Sequence, residues 1–165
     1  PLSGSIISDR VWKVLEDGTD EFGPIGHGWT YSAHPIGAAA GVANLKLVDS
    51  LDLVSNAGAT GAYLRKGLND ALSDISIVGE VRGEGMLAAV EFVQDKDTGA
   101  AFDPSLKVGP QIVGAMLERS KVIARAMPQG DILGFAPPLC LTREEADIVI
   151  GATRDAVKSV AEKVG

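Results

Sequence analysis

The sequence predicts an α+β domain in which an antiparallel sheet is covered by helices. A helical apolar period over residues 53–72 is followed by two β-prone runs, 75–81 and 86–93, which are joined by a turn that contains glycine. A second helical stretch, a pair of short strands and a C-terminal amphipathic helix complete the order. Helix, hairpin, helix, strand, strand, helix is typical of a sheet with helices packed against it.

The first fifty residues predict helices separated by a long loop. Residues 5–7 predict a short buried strand, and the short helix that follows is expected to end at Gly18. The Gly-, Pro- and His-containing segment 18–35 predicts an irregular loop, and an ordered loop of this length is usually functional. Pro35 suits the first turn of a helix over 36–49, which has a face of alanine and glycine.

The elements after the hairpin are shorter. A polar loop over 94–109 precedes a predicted helix over 111–119 and a strand over 122–125. A turn at 128–131 then leads to a last strand over 132–135. This succession supplies the second half of the predicted sheet.

The C-terminal helix has the clearest start signal. Thr142 and Glu145 form a capping box, in which each side chain bonds the other residue's backbone N–H. One face of the helix is apolar and carries Val149, Ala152, Ala156, Val160 and Val164. The change in composition near 50–52 is the best domain boundary, so the chain is expected to divide into 1–50 and 51–165.

Composition and charge exclude several classes of function. The formal charge of −7 over 165 residues argues against non-specific nucleic-acid binding and against an anionic membrane surface. No apolar run has the length of a membrane span, and the N-terminal residues do not form a signal peptide. Cys140 is the only cysteine, which predicts a cytoplasmic setting without disulfides, and a packing role is expected for it rather than a nucleophilic one.

The densest group of candidate residues is the run from His27 to Pro35. Its glycines, hydroxyls and backbone N–H groups before a helix start suit an anion such as phosphate. A capped loop without a ligand is the favoured alternative on pattern alone, because the run lacks the lysine of a P-loop. His27 and His34 lack a third ligand, so no metal site is predicted.

Three further features of the sequence each have a structural explanation that involves no ligand. Arg125 could hold a carboxylate in a bidentate pair, although a surface arginine at a strand end is the commoner case. The segment 83–85 lacks the spacing of a dinucleotide loop, so a hairpin turn is the better interpretation. The acidic stretch over 16–21 is expected to be a solvated loop, and no general acid–base pair is apparent in the chain.

Several of these segments together resemble class III aminotransferases, which are pyridoxal-phosphate enzymes. His27-Gly28-Trp29-Thr30-Tyr31-Ser32-Ala33-His34-Pro35 is similar to their HGxTYSxHP segment, and Val81-Arg82-Gly83-Glu84-Gly85-Met86 is similar to their VRGxGL hairpin. Asp131-Ile132-Leu133-Gly134-Phe135-Ala136-Pro137-Pro138-Leu139 is similar to their C-terminal segment ending in APPL. Pro1-Leu2-Ser3-Gly4 looks like the strand after the catalytic lysine. The matches follow the family order over essentially all residues.

The resemblance implies fold, activity and partners. It implies the C-terminal portion of such an enzyme: the last strand and helices of an α/β large cofactor-binding domain in 1–50, with a dimer-interface loop over 18–35, and the small domain in 51–165. The form of the His27 segment is closest to the branch that transfers an amino group from an ω-amino acid or amine to pyruvate or a similar keto acid. A homodimer with pyridoxal 5′-phosphate is implied.

The resemblance also implies roles for individual residues. Thr30 matches the threonine that donates to the cofactor phosphate of the partner subunit, with Gly28 and Trp29 lining that site and Trp29 also bordering the substrate. Arg125 matches the mobile arginine that binds a substrate carboxylate.

The lysine that forms the Schiff base is expected upstream of Pro1. The lysines at 13, 46 and 66 lie on predicted helices and do not match its motif. The chain alone is therefore expected to be inactive. A non-catalytic interaction or regulatory module with an aminotransferase-like small domain is the alternative, and the sequence immediately upstream of Pro1 would distinguish the two.

Overall fold

The computed structural model describes residues 2–164, so Pro1 lies outside them, and Leu2, Ser3 and Gly4 of the strand implied by the resemblance do not form a strand. Contacts divide the chain into two compact units that meet in sequence between Asp49 and Ser50. Among the described residues, no helix has both the length and the apolar character needed to cross a membrane.

The first unit contains helix α1 (Asp9–Phe22) and most of helix α2 (Pro35–Ser50). The prediction that the first helix ends at Gly18 is wrong, because α1 continues to Gly23, which has a φ of 80° and donates its N–H to the carbonyl of Thr19 at 2.9 Å. A glycine inside a helix costs only about 1 kcal/mol, whereas a positive φ stops it. The start of α2 at Pro35 agrees with the prediction.

Two local predictions in this unit are corrected. Residues 5–7 do not form a strand, and Ile6 is fully exposed. A strand requires a neighbour for its hydrogen bonds, and none is present for these residues within the described unit. The acidic stretch is helical rather than a loop: it lies on α1, where Lys13 pairs with Asp17 at 2.7 Å.

The second unit has the predicted α+β architecture. Its helices are α3 (Leu53–Leu72), α4 (Val108–Ser120) and α5 (Arg143–Val164), and a 3-10 turn covers Pro104–Leu106. Its strands are β1 (Val78–Glu84), β2 (Leu87–Phe92), β3 (Arg125–Ala126) and β4 (Ile132–Phe135). They form one antiparallel sheet in the order β1-β2-β4-β3.

The predicted hairpin is confirmed as β1 and β2. Gly83 has a φ of 150°, and a Cβ there would come within 2.8 Å of the Ala88 Cα, so only glycine fits. Gly85 follows in the left-handed region with a φ of 52°. The glycines of this segment therefore serve strand pairing.

Strand β3 is shorter than the predicted 122–125. It shares only Arg125 with that prediction: Arg125 pairs with Gly134 of β4, and Ala126 pairs with Leu133. Val122 to Ala124 do not form part of the strand, because they have no partner strand to bond.

The core lies between one face of the sheet and helices α3, α4 and α5. Its centre is fully buried and includes Leu64, Leu68, Val90, Ile112, Leu133 and Val157. The capping box of α5 is confirmed: the N–H of Thr142 donates to Glu145 at 2.9 Å, and the N–H of Glu145 donates to Thr142 Oγ1 at 3.2 Å. The helices thus cover the inner face of the sheet, and its outer face is left to line a groove.

Candidate functional site

The outer face of the sheet carries a row of four paired residues. Arg82 on β1 pairs with Ala89 on β2, Ala89 pairs with Gly134 on β4, and Gly134 pairs with Arg125 on β3. Paired residues of antiparallel strands point to the same face. The row therefore places an arginine at each edge of the sheet, about 14 Å apart at three strand spacings, with two small residues between them.

An open groove of about 880 Å³ lies over this row. Both arginines line it, and most of its other lining residues are apolar, including Leu87, Ala89, Ile123, Met127, Phe135 and Pro137. Ile123 is 86% exposed and Leu87 is 61% exposed. The groove can therefore accept the apolar body of a ligand and offers cationic groups at its edges.

The two arginines differ in their partners. Arg82 donates to Glu80 at 2.9 Å and also pairs with Glu91, and these contacts, Glu91 foremost, raise the pKa of its guanidinium above the usual value. Arg125 is exposed and forms no ion pair with another residue of the described chain. Arg125 is thus the cation of the groove that is available to an anion.

The strand that carries Arg125 is held from three sides. The N–H of Met127 donates to the carbonyl of Ile132 at 2.8 Å, which closes the β3–β4 turn. Asp131 accepts from the N–H of Gly109 at 2.9 Å through Oδ1, and its carbonyl accepts from the N–H of Phe92 at 2.8 Å. The turn is thereby tied to α4 and to β2, so the backbone of Arg125 is held firmly while its side chain is free.

Gly28, Trp29 and Thr30 lie next to one another on the loop before α2, residues 23–34, in the first unit. A turn orders it: the N–H of Trp29 donates to Ser32 Oγ at 3.0 Å, and the N–H of Ser32 donates to the carbonyl of Trp29 at 2.9 Å. Ala33 has a φ of 57°. The irregular segment is shorter than the predicted loop over 18–35, because helix α1 extends to Phe22.

The side chains of this loop face solvent within their unit. Trp29 is 74% exposed, and His27 contacts it edge to face with ring centroids 6.0 Å apart. The Thr30 hydroxyl forms no hydrogen bond with other described residues, and a Cβ on Gly28 would meet no atom within 4 Å. The loop therefore presents an unused hydroxyl and accessible backbone beside the start of a helix, which is a setting that suits a phosphate group.

Two further expectations from the sequence concern the role of Cys140 and metal binding. The packing role expected for Cys140 is wrong, because this residue is exposed on the segment after β4. No group of three or more His, Cys, Asp or Glu side chains in residues 2–164 is arranged to hold a metal ion.

Sequence reasoning did not identify Ala89, Met127 and Gly134 as groove residues. Their spacing carries no motif, and only the strand register brings them beside Arg125.

Solved structures with this fold define the class of protein. A structure from directed evolution of transaminases by ancestral reconstruction superimposes with a TM-score of 0.91 and 55% identity, covering 96% of this chain and 34% of its own. An (S)-enantioselective omega-transaminase from Thermomicrobium roseum superimposes with a TM-score of 0.83 and 36% identity, covering 93% and 33%. The fold is that of the small C-terminal domain of transaminases, which confirms the predicted fold class.

Residues 1–157 match the family model for aminotransferase class-III, and the chain belongs to this family. Curated relatives include the diaminobutyrate–2-oxoglutarate transaminase of Halomonas elongata, 57% identical over 162 residues that cover 98% of this chain and 34% of the relative. An uncharacterized aminotransferase of Sinorhizobium fredii is 50% identical over 164 residues, covering 99% and 35%. The chain thus spans about a third of these relatives.

The family sets two general expectations. Class III aminotransferases are generally dependent on pyridoxal phosphate, and they typically form dimers.

Proposed function

We propose that this chain is the C-terminal portion of a pyridoxal-phosphate-dependent aminotransferase that acts as a cytoplasmic homodimer. The enzyme moves an amino group from an ω-amino acid or amine to pyruvate or a similar keto acid. Residues 1–50 would close the large cofactor-binding domain, and 51–165 would form the small domain. The division of contacts between Asp49 and Ser50 supports this assignment.

The observation that carries the proposal is the guanidinium of Arg125, which lies beside an apolar groove and forms no ion pair with another described residue. A guanidinium binds a carboxylate through two parallel N–H···O bonds, which orients the acid as well as holding it. Amino acids and keto acids share this carboxylate. The apolar remainder of the groove suits amines without a carboxylate, so one site can serve both kinds of substrate in turn.

The loop before α2 would serve the cofactor. The Thr30 hydroxyl and nearby backbone N–H groups would donate to the cofactor phosphate bound by the partner subunit, and Gly28 and Trp29 would line that site. When bound, the cofactor supplies the electron sink for amino transfer, and the protein supplies its position. The exposed Thr30 hydroxyl and the open space at Gly28 support this role.

The Halomonas relative narrows the substrates to be tested. Its name gives diaminobutyrate and 2-oxoglutarate, both of which carry a carboxylate. We therefore place diaminobutyrate beside β-alanine and 4-aminobutyrate among the candidate donors, and 2-oxoglutarate beside pyruvate among the acceptors. A donor and acceptor panel on the complete enzyme would identify the preferred pair.

Arg125→Gln in the complete enzyme is expected to lower kcat/KM for β-alanine roughly 10- to 100-fold, because a hydrogen bond to a charged group is lost. The value for 1-phenylethylamine, which has no carboxylate, is expected to change little. Arg154→Gln is the matched control, because Arg154 lies on α5 outside the groove and pairs with Asp155. Equal losses for both donors would contradict the proposed role of Arg125.

The 165-residue chain by itself is expected to be inactive, because none of its lysines matches the motif of the Schiff-base lysine. The measurement is alanine formation from β-alanine and pyruvate with added pyridoxal phosphate, with the complete enzyme as the positive control. Turnover by the purified 165-residue chain would show that the assignment of the missing lysine is wrong.

A further inference from the structure

In the groove beside Arg125, the side chain of Met127 contacts the backbone of Gly134. A Cβ placed on Gly134 would lie 3.0 Å from the Met127 Sδ and 3.6 Å from its Cγ. The thioether of Met127 therefore lies against the backbone of Gly134, in space that any side chain on Gly134 would take. Met127 remains 39% exposed, although it lies on the floor of the groove.

Met127 directly follows β3, and its N–H continues the pairing with β4 by donating to the Ile132 carbonyl, so Met127 lies on the same face as Arg125. Residues two apart in an extended strand point to the same side, about 7 Å from each other along the strand. Ala126, between them, faces the other way: its Cβ would lie 3.5 Å from a Cβ on Gly109 of α4. A carboxylate held by Arg125 would consequently place its adjoining carbons next to Met127 and over Gly134.

We propose that Met127, resting on Gly134, is the adjustable wall against which the carbon chain of an acid held by Arg125 is buried. This inference rests on the carboxylate-binding role of Arg125 proposed above. Methionine is unbranched and has a polarizable thioether, so it can lie flat on the glycine or move aside as the ligand grows. The site therefore favours straight-chain acids over a range of lengths, and each added methylene is buried against the thioether.

The methionine content of the chain provides a direct readout that needs no cofactor. The chain has three methionines, and Met86 and Met116 are buried at 4% and 0% exposure. Of the three methionines, Met127 is therefore the one whose methyl group a ligand can reach. The probes are the sodium salts of acetate, butyrate and hexanoate, added to the chain labelled with ¹³C at the methionine methyl groups and followed by NMR.

In the wild-type chain, the Met127 methyl signal is expected to shift more than those of Met86 and Met116. The Kd is expected to fall roughly threefold per added methylene, as partial burial of each CH₂ predicts. Met127→Ala, whose binding is measured by calorimetry because the reporter methyl group is lost, should flatten this dependence on chain length while acetate binds as before. Gly134→Ala, which displaces the thioether into the groove, should weaken hexanoate at least fivefold relative to acetate.

Gly114→Ala is the matched glycine control, because a Cβ there meets nothing within 4 Å and Gly114 lies outside this groove. An unmoved Met127 signal in a chain that calorimetry shows to bind the acids, or the same length dependence in Met127→Ala as in the wild type, would overturn the inference while leaving carboxylate binding intact. Failure of the proposed carboxylate site would look different: Arg125→Gln would then bind acetate as well as the wild-type chain does.

Discussion

Replacing Gly61 by alanine is expected to destabilise the chain by about 3 kcal/mol or more. Gly61 lies on α3 where the helix meets the turn between β1 and β2. A Cβ there would fall far inside contact distance of the Gly85 carbonyl and 3.0 Å from the Met86 nitrogen. These are backbone atoms, so no side-chain rotation relieves the overlap and the helix or the hairpin must shift. Urea unfolding of the 165-residue chain measures the change.

The hairpin has little freedom to make this shift. Arg65, one helical turn after Gly61, donates to the same Gly85 carbonyl. Gly85 itself has a φ of 52°, and Met86 beside it is buried. Displacing the turn would therefore lose a hydrogen bond and disturb the packing of Met86, which adds to the cost of the overlap itself.

Gly58 on the same helix provides the control. A Cβ at Gly58 meets nothing within 4 Å, so Gly58→Ala is expected to stabilise the chain by roughly 0.5–1 kcal/mol through helix propensity alone. The two substitutions are chemically identical and three residues apart, yet they should act in opposite directions. Equal stability of the two variants would show that α3 does not approach the hairpin as described.

Asn56→Ala is expected to cost about 2 kcal/mol. The Asn56 amide nitrogen donates to the carbonyls of Leu139 at 2.7 Å and Leu141 at 3.1 Å, and its oxygen accepts from Thr60 Oγ1 at 2.8 Å. Alanine leaves the buried Thr60 hydroxyl and two carbonyls without this partner, and each unsatisfied buried group carries a penalty. Denaturant unfolding, with Asn69→Ala on the exposed side of α3 as control, measures it.

Asn56→Asp tests the same hydrogen bonds through the pH dependence of the chain's stability. The introduced carboxylate would face the two carbonyl oxygens that the amide now serves, so the pKa of the carboxyl group should be raised in the folded chain. A raised folded pKa means that stability is present at low pH and is lost as the pH rises through that pKa. Asn56→Asp should therefore approach Asn56→Ala in stability near pH 4 and fall below it at pH 8. A constant difference between the two variants would contradict the hydrogen-bond arrangement.

The elements that could be predicted from sequence are those whose causes are local. The capping box of Thr142 and Glu145 joins residues three apart, and both of its hydrogen bonds are present. The helical period over 53–72 and the glycine turn of the hairpin likewise depend on neighbours within one or two turns of the chain. The observed bounds of these elements agree closely with the predicted ones, since α3 covers Leu53–Leu72 and β2 begins at Leu87.

Two of the local predictions that failed required contacts from elsewhere in the chain, and the one at Gly18 failed for a local reason. Residues 5–7 have strand propensity, but propensity without a hydrogen-bonded neighbour leaves them irregular. Gly18 looked like a helix end, yet the stop lies at Gly23, where a positive φ imposes it. Cys140 looked like a packing residue, but the segment after β4 leaves it exposed.

By itself, the sequence determined the order of the elements of the second unit, the resemblance to class III aminotransferases and Arg125 as a candidate. Only the tertiary structure decided which residues surround that arginine. The register of four strands places Arg82, already held by two glutamates, in the same row as the unpaired Arg125, with Gly134 between them and Met127 beside it. Strand register joins residues up to about fifty positions apart, and no short-range pattern encodes such a pairing.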